Sequence, residues 1–184
     1  MKKLILITGD LATGKSAFSA ILSDRYKCSV FNKDTLKEVL SDTIGFTNRE
    51  ENLKLSAAAI ELMLHIFREF TKFDKDLILE ANFHGAELEH FHEAARTAGY
   101  KVLVLALHGD MQILHRRYIN RIENENRHPV HLSTTLHIFE DFKNYLEAAR
   151  KEKLTGSIIE ISADDFSYQT DPALLARLDQ FMGP

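Results

Sequence analysis

The 184-residue chain has a single cysteine, Cys28, and so cannot close an internal disulfide. That fits a reducing compartment such as the cytoplasm. Its surroundings, "CSVF", read as buried strand rather than as a catalytic thiol. There are three prolines, at 129, 172 and 184, and no linker, repeat or low-complexity tract divides the chain. No apolar run approaches the ~20 residues that span a bilayer, so no membrane is expected as a partner. "MKKLILITGD" places two lysines before an apolar stretch, as a signal peptide does. That stretch is too short and no small-residue cleavage site follows, so it reads as a core strand. A basic excess is missing as well: the net charge is −4. This excludes a general field for nucleic acid, though not a local basic groove. Nine histidines are present without ligand spacing, with His90 and His92 on different sides of a helix. His128 and His131 flank Pro129 in a turn, open to a substrate or surface role.

What is present suits one domain, residues 1–184, with a sizeable core. Short apolar runs with little alternation predict strands buried on both faces at 3–8, 29–32, 76–81, 101–107 and 157–161. Helices fill the intervals. One covers 15–26. Thr47 and Glu50 form a capping-box pattern that opens a helix to about Thr71. Another runs over 86–98 and stops at Gly99. Asp110 caps a helix with Met111, Leu114, Tyr118 and Ile122 on one face. Ser133 is placed to cap the next, with Leu136, Phe139, Phe142 and Leu146 inward, and Asp171-Pro172 opens the last. Alternating strand and helix predicts an α/β sandwich, a parallel sheet covered on both sides with right-handed crossovers.

Gly9-Asp10-Leu11-Ala12-Thr13-Gly14-Lys15-Ser16 fits G-x-x-x-x-G-K-[ST], the P-loop, between a predicted strand and a helix. Glycines let the backbone curl so that successive N–H groups, on to Ala17, point at phosphate oxygens. The following helix adds its positive dipole end. Lys15 reaches the β- and γ-phosphates, and the Ser16 hydroxyl can ligate Mg²⁺. The corner therefore predicts a nucleoside triphosphate.

A GTPase reading finds "DTIG" at 42–45 and "NKDT" at 32–35, but Thr35 stands where an aspartate is needed and the order is reversed. A motor reading finds Leu77-Ile78-Leu79-Glu80, an apolar strand ending in an acid, without a coupling domain. The third reading rests on "GDLATGKS", "FNKDTLKEVL", "LILEANF" and "HRRYINRIENENRHPVH" in that order. With these the chain resembles, over most of its length, the small P-loop kinases. That group includes gluconate kinase, chloramphenicol phosphotransferase, zeta toxins and polynucleotide kinase domains.

The resemblance implies a three-layer αβα sandwich with a five-stranded parallel sheet in order 2-3-1-4-5 and a helical lid at about 115–131. It implies that Asp34 faces the acceptor hydroxyl and that Lys37, where many members have arginine, holds substrate. Glu80 and Asn82 occupy the turn where an Asp and a Thr-Asn-like pair are usual, beside the substrate. Arg116, Arg117, Arg121 and Arg127 fall in the arginine-bearing lid. Planar guanidinium groups suit the charge that phosphoryl transfer spreads over the γ-phosphate, and Arg117 and Arg121 share a helix face. Arg121 and the loop at 162–166 are expected to border the base. The expected activity is ATP- and Mg²⁺-dependent phosphoryl transfer to a hydroxyl of a small metabolite or antibiotic. The alternatives are a polynucleotide 5′-hydroxyl kinase and a non-catalytic nucleotide-binding regulator.

Overall fold

The computed structural model describes residues 1–132 and 135–183. Five parallel strands form one sheet in the order β2-β3-β1-β4-β5. They are β1 (Lys3–Gly9), β2 (Ser29–Asn32), β3 (Leu77–Glu80), β4 (Lys101–His108) and β5 (Ile158–Ser162). Ile5 pairs with Ile78 on one side of β1 and with Leu103 on the other.

Strand alternation sorts the apolar residues onto two faces. Leu4, Leu6, Leu77, Leu79 and Val104 face α3 (Arg49–Phe70) and α4 (Gly85–Thr97), packing with Met63, Phe67, Leu88 and Phe91. Ile5, Ile7, Ile78, Leu103 and Leu105 face α1 (Lys15–Tyr26) and α7 (Pro172–Met182), packing with Phe18, Leu22, Leu174 and Leu178. Because both faces are covered, the central strands β1, β3 and β4 read as continuous apolar runs, whereas the edge strands β2 and β5 are only partly buried, against the sequence expectation. Phe67 is fully buried between α3 and the sheet. Truncating it to alanine would cost about 3–5 kcal/mol.

A third cluster joins α5 (Met111–Asn124) to α6 (Phe139–Arg150) through Leu114, Tyr118, Phe142 and Leu146. Leu11 and Ala12 pack against it, so this helix pair sits over the P-loop.

Several local expectations shift. Asn48 caps α3 and accepts from the Glu51 N–H at 3.0 Å, while the Glu51 carboxylate accepts from the Thr47 N–H at 2.6 Å. The capping arrangement thus lies one residue beyond the Thr47/Glu50 pattern. Ser133 lies outside the described residues, and α6 begins at Phe139, with Leu136 before it. The segment 32–45 is the cap, body and C-terminal glycine of one helix, α2 (Lys33–Ile44). Neither GTPase-like tetrapeptide is therefore a loop that could read a base or switch. No described helix is long and apolar enough to cross a membrane.

Candidate active site

The loop between β1 and α1 is built on two positions that exclude side chains. Gly9 has φ 118°, and a Cβ there would lie 2.1 Å from the Leu107 carbonyl oxygen. Gly14 has φ 87°, and a Cβ would meet Phe166 Cε1 at 2.8 Å and the Tyr168 hydroxyl at 2.9 Å. Only glycine satisfies both the left-handed backbone and the close approach. Gly14 also gives α1 no side-chain cap, and the first turn has no acid. The free N–H groups and the dipole of α1 are thus left for an anion.

Lys15 is buried, and Nζ donates to the carbonyls of Gly9 (3.2 Å) and Asp10 (2.5 Å). Burial lowers its pKa, and the nearby carboxylates of Glu80, Asp34 and Asp10 work against that shift. Thr13 Oγ1 donates to the same Asp10 carbonyl at 2.9 Å, and the Tyr168 hydroxyl donates to the Thr13 carbonyl at 2.7 Å.

Glu80 ends β3 with its carboxylate buried beside the start of α1. It accepts from Ser16 Oγ at 3.1 Å, from Ser19 Oγ at 3.4 Å and from the Asn32 amide. Burial pushes its pKa up, opposed chiefly by Lys15 and then Ser16. The sequence set Glu80 beside the acceptor; it lines the cavity with Asp34, and its hydrogen bonds are with Ser16, Ser19 and Asn32. Asn32 joins both halves. Its Nδ2 reaches Glu80 and Ser16 Oγ (3.2 Å), while Oδ1 accepts from the N–H groups of Asp34 (2.6 Å) and Thr35 (3.2 Å). Asn32 is therefore the N-cap of α2, and Asp34 is the second helical residue. The Asp34 carboxylate is relieved of capping and stands exposed at the cavity wall.

That cavity has a volume of about 830 Å³. Gly14, Lys15, Ser16, Asp34, Glu80 and Asn82 line it from the sheet side, and Arg116, Arg117, Arg121 and Arg127 from α5 and beyond. The arginines differ in their commitments. Arg117 donates to the carbonyls of Ala163 and Asp164, both at 2.6 Å, and stacks 4.2 Å from the Phe166 ring centroid. It thus fixes the loop before Tyr168, and Phe166 and Gln169 line the cavity next to it. Arg121 pairs with Glu125 at 3.1 Å. Arg127 is half-buried, and burial followed by the neighbouring Arg121 lowers its pKa.

Lys37 departs from the sequence expectation. It is buried outside the cavity lining, donating to Asn52 Oδ1 at 2.6 Å and to the Val130 carbonyl at 3.3 Å. Burial, with repulsion from Lys33, brings its pKa down to about 8. Its ammonium ties α2 to α3 and to the short 3₁₀ turn Pro129–His131. Two histidine–carboxylate pairs strengthen that dock: His131 to Glu38 at 2.8 Å and His128 to Asp42 at 2.9 Å. The polar stretch before the turn is therefore followed by an anchored one. Asn82 Oδ1 is buried at the cavity edge with no hydrogen-bond partner among the described residues.

Phe166, in the loop at 162–166 expected beside the base, lines the cavity. Sequence reading missed Asn32, Gln169 and an arginine at the end of α6 that grips the P-loop; of these only the Asn32 position, before a helix, carried a local signal, that of an N-cap.

In comparisons with known proteins, a candidate kinase from Chloroflexus aurantiacus J-10-fl superposes with a TM-score of 0.81 at 26% identity, covering 98% of each chain. The tunicamycin resistance protein of Deinococcus radiodurans matches at 0.63 and 17% identity, covering 97% of this chain and 96% of its own. A gluconokinase from Sinorhizobium meliloti 1021 matches at 0.57 and 14% identity, over 97% and 94%. The last two show a shared fold. No curated protein sequence matches significantly. The zeta toxin family matches residues 1–169. Strand order 2-3-1-4-5, the P-loop at the end of the central strand and this match together make the chain a member of the zeta toxin family, a P-loop kinase of the phosphotransferase type.

Proposed function

We propose that this kinase uses ATP with Mg²⁺ and transfers the γ-phosphoryl group to a hydroxyl of a small metabolite or antibiotic. The observation that carries the reading is the single cavity in which the P-loop, Asp34 and the α5 arginines meet. Its volume suits a nucleotide and a compact acceptor.

The P-loop N–H groups and Lys15 would hold the β- and γ-phosphates. Ser16 and Glu80 offer hard oxygen donors 3.1 Å apart, and the Glu80 carboxylate is buried. They fit Mg²⁺, whose remaining positions phosphate oxygens and water commonly complete. When bound, that ion neutralises charge on the bridging phosphates. Among the described residues no group of three or more His, Cys, Asp or Glu side chains could hold a metal by itself.

Asp34 would accept a hydrogen bond from the acceptor hydroxyl and orient it in line with the γ-phosphorus. The acceptor oxygen forms the new P–O bond as the bond to the β–γ bridging oxygen breaks, and ADP leaves. The hydroxyl proton passes to Asp34 or to solvent. The unpartnered Asn82 Oδ1 would accept from a second acceptor group. Arg121 and Arg127 would meet the equatorial oxygens, and Phe166 with Arg117 would border the base.

The test is ADP release from ATP and Mg²⁺, measured with a panel of hydroxyl metabolites, aminoglycoside-type and other hydroxylated antibiotics, and 5′-hydroxyl oligonucleotides. Stimulation by a small hydroxyl compound is expected. Stimulation by oligonucleotides alone would replace this acceptor class.

A further inference from the structure

The P-loop opens on a carboxylate. Asp10 follows Gly9 directly, and its side chain is 2% exposed. A buried anion there opposes the work of a phosphate-binding loop, because it repels what the loop must hold. It is gripped from three directions. Arg150, the last residue of α6, places Nη2 at 2.5 Å and Nε at 3.2 Å from Asp10 Oδ2. The Gly109 N–H donates to Oδ2 at 3.2 Å. His108 Nδ1 lies 3.5 Å from Oδ1, and its Nε2 lies 3.0 Å from Glu160 Oε2. Arg150 Nη2 also donates to the Gly109 carbonyl at 2.6 Å, locking the guanidinium to the end of β4.

The main chain of Asp10 is equally committed. Its N–H donates to the Leu107 carbonyl at 2.8 Å, and its own carbonyl accepts from Lys15 and Thr13. A shift of Asp10 therefore carries Lys15, Thr13 and the curl of the loop with it. Burial raises the Asp10 pKa, and the contacts with His108 and Arg150 more than reverse this. The carboxyl is thus an anion that needs its cations.

We propose that Arg150 is a positioning residue for the nucleotide: it neutralises Asp10, holds the loop's N–H groups in register, and couples α6 to the phosphate site. Arg150 acts through Asp10, since it does not line the main cavity. The coupling has a geometric consequence. Through Phe142 and Leu146, α6 packs on Leu114 and Tyr118 of α5, the helix bearing the cavity arginines. A movement of α5 on nucleotide binding reaches the P-loop through Arg150 as well as through the cavity. The proposal rests on the nucleotide-binding reading of the site.

The experiment compares wild type, Arg150→Ala, Arg150→Lys and the double variant Arg150→Ala/Asp10→Asn, all full length. Calorimetry with a non-hydrolysable ATP analogue and Mg²⁺ reads affinity, and thermal melting reads folding. Arg150→Ala leaves Asp10 with only the Gly109 N–H and His108 beside it, and its affinity should fall about tenfold or more. Adding Asp10→Asn removes the poorly compensated charge and should return most of that loss. Arg150→Lys keeps the charge but loses the fork, and should fall between. A purely architectural salt bridge would lower the melting temperature in step with any loss of affinity, and the second substitution would not restore binding. If Arg150→Ala does not fold, the double variant and Arg150→Lys still carry the comparison. A wild type that binds and an Arg150→Ala that binds equally well would overturn this proposal alone. A double variant as weak as Arg150→Ala would also overturn it. A wild type that does not bind the analogue would overturn the nucleotide reading and this proposal with it.

Discussion

Replacing Asp34 with asparagine separates chemistry from architecture at the acceptor side. In sequence, Asp34 could have been the cap of α2. In the structure that work belongs to Asn32, whose Oδ1 takes the Asp34 and Thr35 N–H groups at 2.6 and 3.2 Å. The substitution leaves both bonds in place. What α2 loses is one negative charge in its first turn, worth about 0.3–1 kcal/mol against the helix dipole. For a chain of this size, about 1 kcal/mol corresponds to a melting shift of about 2–4 °C. Asp34 is also an electrostatic neighbour of Lys15 and Arg127, so neutralising it should not weaken, and should slightly favour, a bound triphosphate. Transfer is a different matter. If the carboxylate accepts the acceptor's proton or its hydrogen bond, asparagine is a poor substitute and the rate should fall about 10²–10⁴-fold. That is about 2.7–5.5 kcal/mol of activation free energy, several times the expected cost in stability. The assay is ADP release with the best acceptor from the panel, beside analogue binding by calorimetry and a melting curve. A variant that melts normally, binds the analogue and transfers at the parent rate would remove Asp34 from the mechanism.

Lys15→Ala should lower turnover about a hundredfold or more, and near-normal ADP release would remove P-loop chemistry from the account. Glu80→Gln keeps the volume and relieves a buried carboxylate, so the melting temperature should hold or rise while Mg²⁺-dependent turnover falls about a hundredfold; unchanged turnover at limiting Mg²⁺ would separate Glu80 from the metal. Hydrogen exchange over residues 111–132 should show greater protection with an ATP analogue, mainly between Arg121 and Arg127, because His128 and His131 already anchor the far end; identical protection in both states would argue against closure. Burial depresses the His131 pKa, with Asp34 and Glu38 opposing. Its contribution to stability is therefore full above the ordinary imidazole pKa of ~6.5 and declines as pH falls through that value. Melting curves from pH 8 to 5 should show this decline reduced in His131→Gln, and an unchanged profile would refute it.

The sequence alone determined the sheet and its phosphate corner. Strands buried on both faces must be apolar at successive positions, so Leu4–Ile7 and Leu77–Leu79 announce themselves without knowledge of any partner. A phosphate loop is a local structure made by neighbouring residues, so Gly9 to Ser16 could be read as a unit. The α5 arginines were placed in a lid by the resemblance to small P-loop kinases, and their spacing put Arg117 and Arg121 on one helix face. Tertiary structure decided how the charges are used. Lys37 is identical in sequence terms to a substrate lysine, yet burial against Asn52 and the Val130 carbonyl makes it a tie between helices. Arg117 belongs to the loop at Ala163 and Asp164, 46 and 47 residues away. Arg150 meets Asp10 across a separation of 140 residues. Periodicity records which face of an element is apolar, because burial acts on every residue of that face. It cannot record which distant partner a single charged side chain finds, because that depends on which strand ends the order β2-β3-β1-β4-β5 sets side by side.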